Sequence, residues 1–413
     1  MNKLKTIIFL SFRSILRHKR RTFLTSSAIA GGLALTLFFI SIVDGFLNKL
    51  IDDVIKMDSG HIVLEHPEYN DDPSIDFTIN ATPELIKNIY QKADGNIKAL
   101  NLLVKGQGLL RTGYNSVGVS IYGIDRNYTI KNSDLAKNIT KGDYLQDRDE
   151  NKIVISEKLA KKLKIKVKKK TVLSSNNKAG TTSEDLFKIK GIFNTGSNTN
   201  DNMVHIPIDY ARKFYDLNSH EVTTFGIVLR DPKKSKELIT YLKQITNPKE
   251  VKVMTFEEDM PHVISYIKME RGGTIVYMSV LIFLVLFTIL NTVLMSILER
   301  EKEFSTLLAI GTSYNLLKIQ ILFEGIIICG LGCLFGTIIA YIIYFFSKSG
   351  IDLTSLYPSE QTDVIGYNID MFVIPILDKD TSINIIFWVF ISSLMMSILP
   401  MGRINKVKLT RRG

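Results

Sequence analysis

Four stretches of this chain contain no charged residue, and they dominate its pattern of apolar and polar positions. They lie between Arg21 and Asp44, between Arg271 and Glu299, from Gly325 to Ser347, and between Asp380 and Arg403. Each reaches the roughly 20 residues that an α-helix needs to cross about 30 Å of hydrocarbon. Because an open chain can satisfy its backbone polar groups in lipid only as a helix, the pattern predicts four membrane-spanning helices.

We number these helices span one to span four, and the segments between them define the domain organisation. The long segment between spans one and two mixes short strand-like runs with short helical patterns, which is typical of an α+β domain. The sequence thus predicts an α-helical membrane protein with four transmembrane helices and a large α+β extracytoplasmic domain between helices one and two. The predicted boundaries are 1–21 for an amphipathic N-terminal helix, 22–43 for span one, 44–271 for the outer domain, 272–298 for span two, 299–318 for an inner loop, 319–347 for span three, 348–382 for an outer loop, 383–402 for span four and 403–413 for a basic tail.

The formal net charge is +11, and the basic excess is confined to the two ends of the chain. Residues 1–21 contain seven basic and no acidic residues, and residues 401–413 contain five basic and no acidic residues. Lys and Arg concentrate on the cytoplasmic side of membrane helices. The distribution therefore predicts that both termini are cytoplasmic, and it favours membrane lipids over nucleic acid as the partner of the basic residues.

The first residues bear on how the chain enters the membrane. Leu4, Ile8, Phe12, Ile15 and Leu16 recur at helical spacing among basic residues, which predicts an amphipathic helix on the inner membrane surface. The apolar stretch that follows is longer than the core of a cleaved signal peptide, so we expect a retained anchor.

Two polar segments stand out in the outer domain. Ser174–Glu184 contains glycine and lies between two strand-like runs, which predicts an exposed hairpin tip. The run Lys161–Lys170 is rich in lysine, and both a solvated face and a partner-binding patch remain open for it.

The sequence lacks the motifs that would indicate an enzyme or a disulfide-stapled domain. Its two cysteines, Cys329 and Cys333, are four residues apart in span three and are too close to staple a domain. There is no Gly-rich phosphate loop ending in Lys-Ser or Lys-Thr, no nucleophile elbow and no zinc-helix motif. We expect no catalytic residue, no metal site and no cofactor in this chain.

The inner loop between spans two and three carries the most informative pattern. Phe304, Leu307 and Leu308 fall on one face of a short helix, and Gly311 is placed to end that helix in a left-handed conformation. Periodicity alone leaves two interpretations open: the apolar face docks on a partner, or it lies on the membrane surface.

The stretch Asn291–Ser313, NTVLMSILEREKEFSTLLAIGTS, resembles the signature of the FtsX/MacB superfamily of ABC-transporter permeases. Phe323–Gly336, with its opening Glu and spaced glycines, and the end LPMGRINKVKLTRR are similar to the next parts of that family, although the family's second proline is absent from the end. The resemblance implies that the inner helix is a coupling helix that docks on a separate ATPase subunit, which binds ATP and Mg. The residues it assigns to coupling are Glu299, Arg300, Glu303, Phe304, Leu307, Leu308 and Gly311.

Within the superfamily, Val43–Pro73 and Gly191–Pro207 resemble the Lol-type lipoprotein-releasing permeases. This resemblance implies a complex of two ATPases with two permease chains, identical or paralogous, that releases lipoproteins from the bacterial inner membrane. A periplasmic carrier is a further implied partner, but the stretch that matches the family's proline-containing hook, Ser174–Asp185, is shorter and has no proline. The alternatives are MacB-like export of peptides or amphiphiles and FtsX-like regulation of a cell-wall hydrolase.

Two further groups of residues inside the membrane are candidates, one for helix packing and one for contact with acyl chains. Small or polar side chains in spans two and three predict helix packing, and large apolar side chains at the outer ends of spans one and two predict a gap for acyl chains. The packing candidates are Asn291, Glu324, Gly332 and Gly336. The gap candidates are Phe38, Phe39, Ile42, Phe46, Tyr266, Met269, Ile275 and Met278.

Overall fold

A computed structural model describes residues 3–57, 60–125, 138–146, 149–194, 202–353, 363–364, 367–368 and 372–400. The predicted basic tail, 403–413, lies outside these residues. The chain divides into two compact units, which we describe separately. The membrane unit comprises Met1–Asn48, Lys268–Asp352 and Phe372–Gly413, and the outer unit comprises Lys49–Ile267 and Leu353–Met371.

The helices and strands are numbered in chain order. The helices are α1 (Lys3–Arg17), α2 (Lys19–Met57), α3 (Pro83–Ala93), α4 (Glu157–Lys162), α5 (Ile208–Phe214), α6 (Ser235–Ile245), α7 (Phe256–Asp259), α8 (Pro261–Glu299), α9 (Glu301–Ala309), α10 (Tyr314–Ser347) and α11 (Lys379–Ile398), with a 3-10 turn at Pro232–Lys234. The strands are β1 (Ile62–Glu65), β2 (Ile79–Asn80), β3 (Ile97–Arg111), β4 (Ser116–Ile124), β5 (Ile139–Gly142), β6 (Lys152–Ser156), β7 (Lys170–Asn176), β8 (Thr182–Phe193), β9 (Met203–Pro207), β10 (Glu221–Val222), β11 (Thr224–Leu229), β12 (Lys252–Thr255), β13 (Ile351–Asp352), β14 (Asp363–Val364), β15 (Tyr367–Asn368) and β16 (Phe372–Val373).

Four helices are long and apolar enough to cross a membrane, which confirms the predicted fold class. They are Thr22–Ile55 within α2, all of α8, all of α10 and all of α11. With 39 residues, α8 is roughly 58 Å long at 1.5 Å per residue, about twice the hydrocarbon thickness. It begins at Pro261, eleven residues ahead of the boundary expected from charge, because a helix continues past the point where its side chains become polar.

Spans one and three pack closely because two glycines remove side chains from their interface. A Cβ atom added to Gly332 would lie 2.7 Å from Cβ of Ile29, and one added to Gly336 would lie 2.8 Å from the carbonyl oxygen of Ala30. Real Cβ contacts are longer than this. Both glycines of the predicted small-residue pair therefore hold α10 against α2.

The outer unit is built around six strands that close on themselves. The pairs run β3–β4, β4–β9, β9–β6, β6–β8, β8–β7 and β7–β3, so each of these strands has two neighbours within the ring. Two of the pairs, β4–β9 and β6–β8, are parallel, and the other four are antiparallel. Closure into a barrel leaves these strands without a free edge.

A three-stranded arm extends the sheet from β3 through β11 and β1 to β12, and β5 pairs with β8 at the other end. The buried core lies between this sheet and helices α3, α5 and α6, and includes Phe187, Tyr215 and Phe225. Thr82 caps α3, since its hydroxyl accepts a hydrogen bond of 3.2 Å from the backbone N–H of Leu85. The α+β character of the domain is confirmed.

The predicted hairpin tip is the short turn between β7 and β8. The two strands stay paired as far as Asn176 and Thr182, and Gly180 in the turn has a φ of +75°. Of the lysine run, the segment from Lys164 to Lys170 is largely exposed, with Ile165 and Val167 packed inward. This exposure fits a solvated face and equally leaves the lysines accessible to a partner, the two interpretations that the sequence offered.

Replacing either interface glycine by alanine should destabilise the membrane unit. Gly332→Ala and Gly336→Ala should each cost about 1–3 kcal/mol of stability, because the added methyl overlaps α2. Gly330→Ala is the matched control, since no atom lies within 4 Å of its added Cβ. Thermal unfolding of the purified protein should show a lower midpoint for the first two variants alone. An unchanged midpoint for Gly336→Ala would contradict the close packing.

Candidate coupling site and extracytoplasmic cleft

The inner loop folds as the short helix α9, which is held between the end of α8 and the start of α10. Its first backbone hydrogen bond runs from the N–H of Phe304 to the carbonyl of Arg300 at 3.0 Å. Gly311 follows the helix with a φ of +101° and donates its N–H to the carbonyl of Leu308 at 3.0 Å. This left-handed residue ends the helix as the sequence predicts.

Phe304 is buried in the chain's own core, which corrects its predicted place on a docking surface. Only 1% of it is exposed, and it packs in a cluster with Ile297, Leu317 and Ile321. The physical reason is that the ends of spans two and three present an apolar surface of their own, which covers this face of α9. Leu308 packs against the same cluster and is half-buried.

The exposed apolar face of α9 is one turn further along the helix. Leu307 is 36% exposed, and Ile310, just after the helix, is 79% exposed. The docking face expected from the sequence included Leu307 but not Ile310. The signal that could have found it is its position three residues after Leu307, on the same helical face.

A buried ion pair fixes the start of α9 to span three. Nη1 of Arg300 donates to both carboxylate oxygens of Glu324, at 3.1 and 2.9 Å. Arg300 is 6% exposed and Glu324 is 4% exposed. Glu324 was a helix-packing candidate, and its partner Arg300 was not evident from the sequence. Breaking such a buried pair on one side leaves a buried charge without compensation.

Neighbouring groups complete the surroundings of Arg300. Its Nε donates to Glu303 Oε2 at 3.1 Å, and its guanidinium carbon lies 4.9 Å from the centre of the Phe304 ring. Gln320 Nε2 donates to Glu324 Oε1 at 3.3 Å. Partial burial acts to raise the pKa of Glu303, but the hydrogen bond and charge of Arg300 outweigh it and lower that pKa.

The N-terminal helix α1 packs on the same region. The hydroxyl of Ser11 donates to the backbone carbonyl of Gln320 at 3.1 Å, and Ile15 is buried. The opposite side of α1 exposes Phe9, Phe12 and Leu16. The predicted apolar stripe is thus divided, because Ile15 faces span three whereas Phe12 and Leu16 remain available to lipid. The side chains of Leu4 and Ile8 lie outside the described residues.

Two predicted residues take no part in this cluster. Glu299 is the exposed last residue of α8. Asn291 is exposed on the surface of span two rather than inside the bundle, where we expected it. Uniformly apolar flanks gave no indication of which side of that helix would face inward.

The extracytoplasmic ends of spans one, two and four enclose a cleft of about 730 Å³. Of the predicted gap residues, only Ile275 and Met278 line it, and span one contributes Ile40 and Val43 instead. The remaining candidates lie elsewhere. Phe39 makes an edge contact with Tyr277, with ring centres 6.4 Å apart. Half-buried positions are occupied by Phe38, Ile42 and Phe46, and Met269 is exposed. Tyr266 belongs to the outer unit.

Comparison with known proteins identifies the family to which this architecture belongs. The family described as MacB-like periplasmic core domain matches residues 22–245, more than half of the chain, and the FtsX-like permease C-terminal family matches residues 275–408. The chain belongs to the FtsX/MacB family of ABC-transporter permeases. A transmembrane subunit of this family is not catalytic, and it works with an ATPase subunit. The chain is thus a multi-pass membrane protein with an extracytoplasmic domain.

Two relatives match this FtsX/MacB permease over most of its length. The chain is 24% identical over 323 residues to the lipoprotein-releasing system transmembrane protein LolC of Buchnera aphidicola subsp. Schizaphis graminum, covering 76% of each chain. It is also 24% identical over 394 residues to an uncharacterized ABC transporter permease of Methanocaldococcus jannaschii, covering 91% of this chain and 94% of that one.

Two solved structures are similar to parts of the chain. The extracellular domain of the noncanonic ABC-type transporter YknZ from Gram-positive bacteria has a TM-score of 0.34 and 15% identity, covering 47% of this chain and 99% of that domain. The periplasmic region of MacB from Actinobacillus actinomycetemcomitans has a TM-score of 0.34 and 14% identity, covering 52% and 98%.

Removing Arg300 should destabilise the permease more than removing an exposed charge from the same helix. Arg300→Gln should cost about 3–5 kcal/mol, because Glu324 stays buried without its cation. Lys302→Gln, at an exposed position of α9, is the matched control. Thermal unfolding of the purified protein measures both.

A double variant separates the buried charge from general damage to the helix. Arg300→Met combined with Glu324→Leu should recover most of the lost stability, because apolar side chains of similar volume can replace a buried ion pair at little cost. A double variant as unstable as Arg300→Gln would show that the charges themselves are not the cause.

Proposed function

We propose that this chain is the permease subunit of an ABC transporter that releases lipoproteins from the bacterial inner membrane. In this proposal both termini are cytoplasmic, and two permease chains, identical or paralogous, assemble with two ATPase subunits that bind ATP and Mg. A periplasmic carrier would accept the lipoprotein. The similarity to LolC over 76% of each chain supports the choice of substrate.

The observation that carries the coupling role is the construction of α9. One face of the helix is fixed to the chain by Phe304 and by the Arg300–Glu324 pair, while Leu307 and Ile310 remain exposed. A helix that is held rigidly on one side and apolar on the other suits the transfer of force from a docked ATPase. Glu303 links this helix to α1, since its Oε1 lies 3.8 Å from Nη1 of Arg17.

The cleft supports an amphiphilic substrate. A lipid-anchored protein leaves the bilayer sideways, so its acyl chains need an apolar surface that is open at the extracytoplasmic leaflet. Exposing each methylene to water costs about 0.8 kcal/mol, so an apolar cleft keeps the acyl chains out of water while the lipoprotein leaves the bilayer. The alternative is MacB-like export of peptides or amphiphiles, which the match to the MacB-like periplasmic core domain supports.

A charge on the exposed face of α9 should uncouple the complex without unfolding the permease. Ile310→Asp should weaken binding of the ATPase by about 2 kcal/mol, or roughly thirty-fold, because an apolar contact would receive a carboxylate. Ile245→Asp is the matched control, since Ile245 is an exposed isoleucine of the outer unit. Co-purification and ATP turnover measure the effect. Unchanged ATPase binding by Ile310→Asp would contradict docking on this face.

The substrate is tested by photo-crosslinking from within the cleft. A photoreactive amino acid at Met278 should capture a lipoprotein in membranes without ATP and release it when ATP is added. The same label at Phe287, an exposed residue of α8 that does not line the cleft, should capture only phospholipid. Capture of phospholipid alone at Met278, with normal lipoprotein sorting in a deletion strain, would favour the export alternative.

A further inference from the structure

The cleft changes from apolar to polar along its length, which is how a site for an amphiphile is built. On span two its lining follows one helical stripe from Arg271 through Ile275 and Met278 to Ile282. Eleven residues of helix rise roughly 16 Å, about half of the 30 Å hydrocarbon thickness. The cleft is therefore about as long as one leaflet of the bilayer is thick, and its volume of about 730 Å³ lies within the usual range for small-molecule sites.

The same change occurs on the other two helices. On span one, Ile40 lies one turn deeper than Asp44. On span four, Ile385 and Trp388 lie deeper than Asp378. Apart from Asn384 on span four, the deep end of the cleft is therefore apolar, and its charged residues lie together at the extracytoplasmic rim.

The rim carries one guanidinium and two carboxylates. Arg271 and Asp378 are exposed, and Asp44 is half-buried. Asp378 keeps its place because it caps α11, accepting hydrogen bonds from the N–H and the hydroxyl of Thr381 at 2.9 and 2.8 Å. A head group with only negative charge meets two carboxylates here. A head group with an ammonium can instead form charge-assisted hydrogen bonds to them, leaving Arg271 for a phosphate or carbonyl oxygen.

We propose that this cleft binds a diacyl amphiphile whose head group carries a primary ammonium, with its acyl chains along Ile40, Met278 and Ile385 and the ammonium at Asp44 and Asp378. The inference deepens the proposed function and rests on it for the source of the ligand. Phosphatidylethanolamine and a lipoprotein with a free amino-terminal cysteine both present this chemistry.

The chain provides its own reporter for the test. Trp388 is its only tryptophan and lines the cleft, with 62% of it exposed. Bromine atoms on an acyl chain quench tryptophan fluorescence on contact. The full chain in nanodiscs should be quenched more by brominated phosphatidylethanolamine than by brominated phosphatidylglycerol at the same mole fraction. Quenching by the phosphatidylethanolamine should be about three times that by the phosphatidylglycerol, a ratio that corresponds to the free energy of an exposed ion pair.

Two variants separate binding at the rim from contact with bulk lipid. Asp44→Asn should reduce the preference towards one, because it removes one of the two carboxylates that hold the ammonium. Asp380→Asn removes the same charge from an exposed residue of α11 that does not line the cleft, so the preference should persist. Moving the reporter by one residue, with Trp388→Phe and Phe387→Trp, should abolish the head-group preference.

Two results would overturn the proposal. Equal quenching of the native chain by both brominated lipids would show that the cleft does not select an ammonium. No quenching by either lipid would show that another protein surface, such as a second copy of the chain, fills it.

The source of the ligand is tested separately with a synthetic diacyl lipopeptide. If the free-amine peptide displaces brominated phosphatidylethanolamine and its N-acetylated form does not, the ligand is a lipoprotein. If neither peptide displaces it while the head-group preference persists, the ligand is the phospholipid. That second result supports the ammonium site and counts against the proposed lipoprotein function.

Discussion

The pairing of Arg300 with Glu324 is the constraint on which the packing of α9 in the membrane unit depends. Both side chains are almost completely buried, and a buried charge is tolerated only when it is paired and hydrogen-bonded. This requirement fixes the distance between the start of α9 and span three, and Phe304 then fills the apolar space beside the pair. The short helix therefore cannot pivot on its own, and its exposed face points in a defined direction.

Much of this membrane unit could be predicted from the sequence, because its strongest signals are local. A charge-free stretch of 20 or more residues leaves a chain few choices in lipid, so the four spans followed directly. Which side of a helix faces inward is not a local property, because it depends on contacts with segments that are distant in the sequence. Phe304 and Ile310 both suit an apolar face, and only the position of spans two and three determines which of them is buried. For the same reason Asn291 was placed on the wrong side of span two.

The remaining features, the closed sheet of the outer domain and the lining of the cleft, could not be predicted because they depend on pairs of residues far apart in the sequence. The strand-like runs of the outer domain were visible, but closure depends on pairs such as β7 with β3, whose partners lie about 60 residues apart, as Arg111 and Val172 do. Nothing in a single strand encodes that partner. The cleft shows the same limit on span one, where Ile40 and Val43 line it although Phe38, Phe39, Ile42 and Phe46 were expected to. A helix that is apolar on all sides does not reveal its inward face.

The contacts of span three connect the candidate coupling site to the cleft through an ion pair, close helix packing and a backbone hydrogen bond. Glu324 holds α9 at one end of α10, and Gly332 and Gly336 press the same helix against Ile29 and Ala30 of α2. Helix α2 continues without a break to the residues that line the cleft, and the carbonyl of Ser41 accepts a hydrogen bond of 2.8 Å from the N–H of Ile376, close to the start of α11. Because close-packed interfaces shift between discrete arrangements rather than deform continuously, a displacement of α9 must either carry α2 with it or break the glycine contact. If α2 moves with α10, Ile40, Val43 and Asp44 move with it, so the width of the cleft would depend on the position of α9.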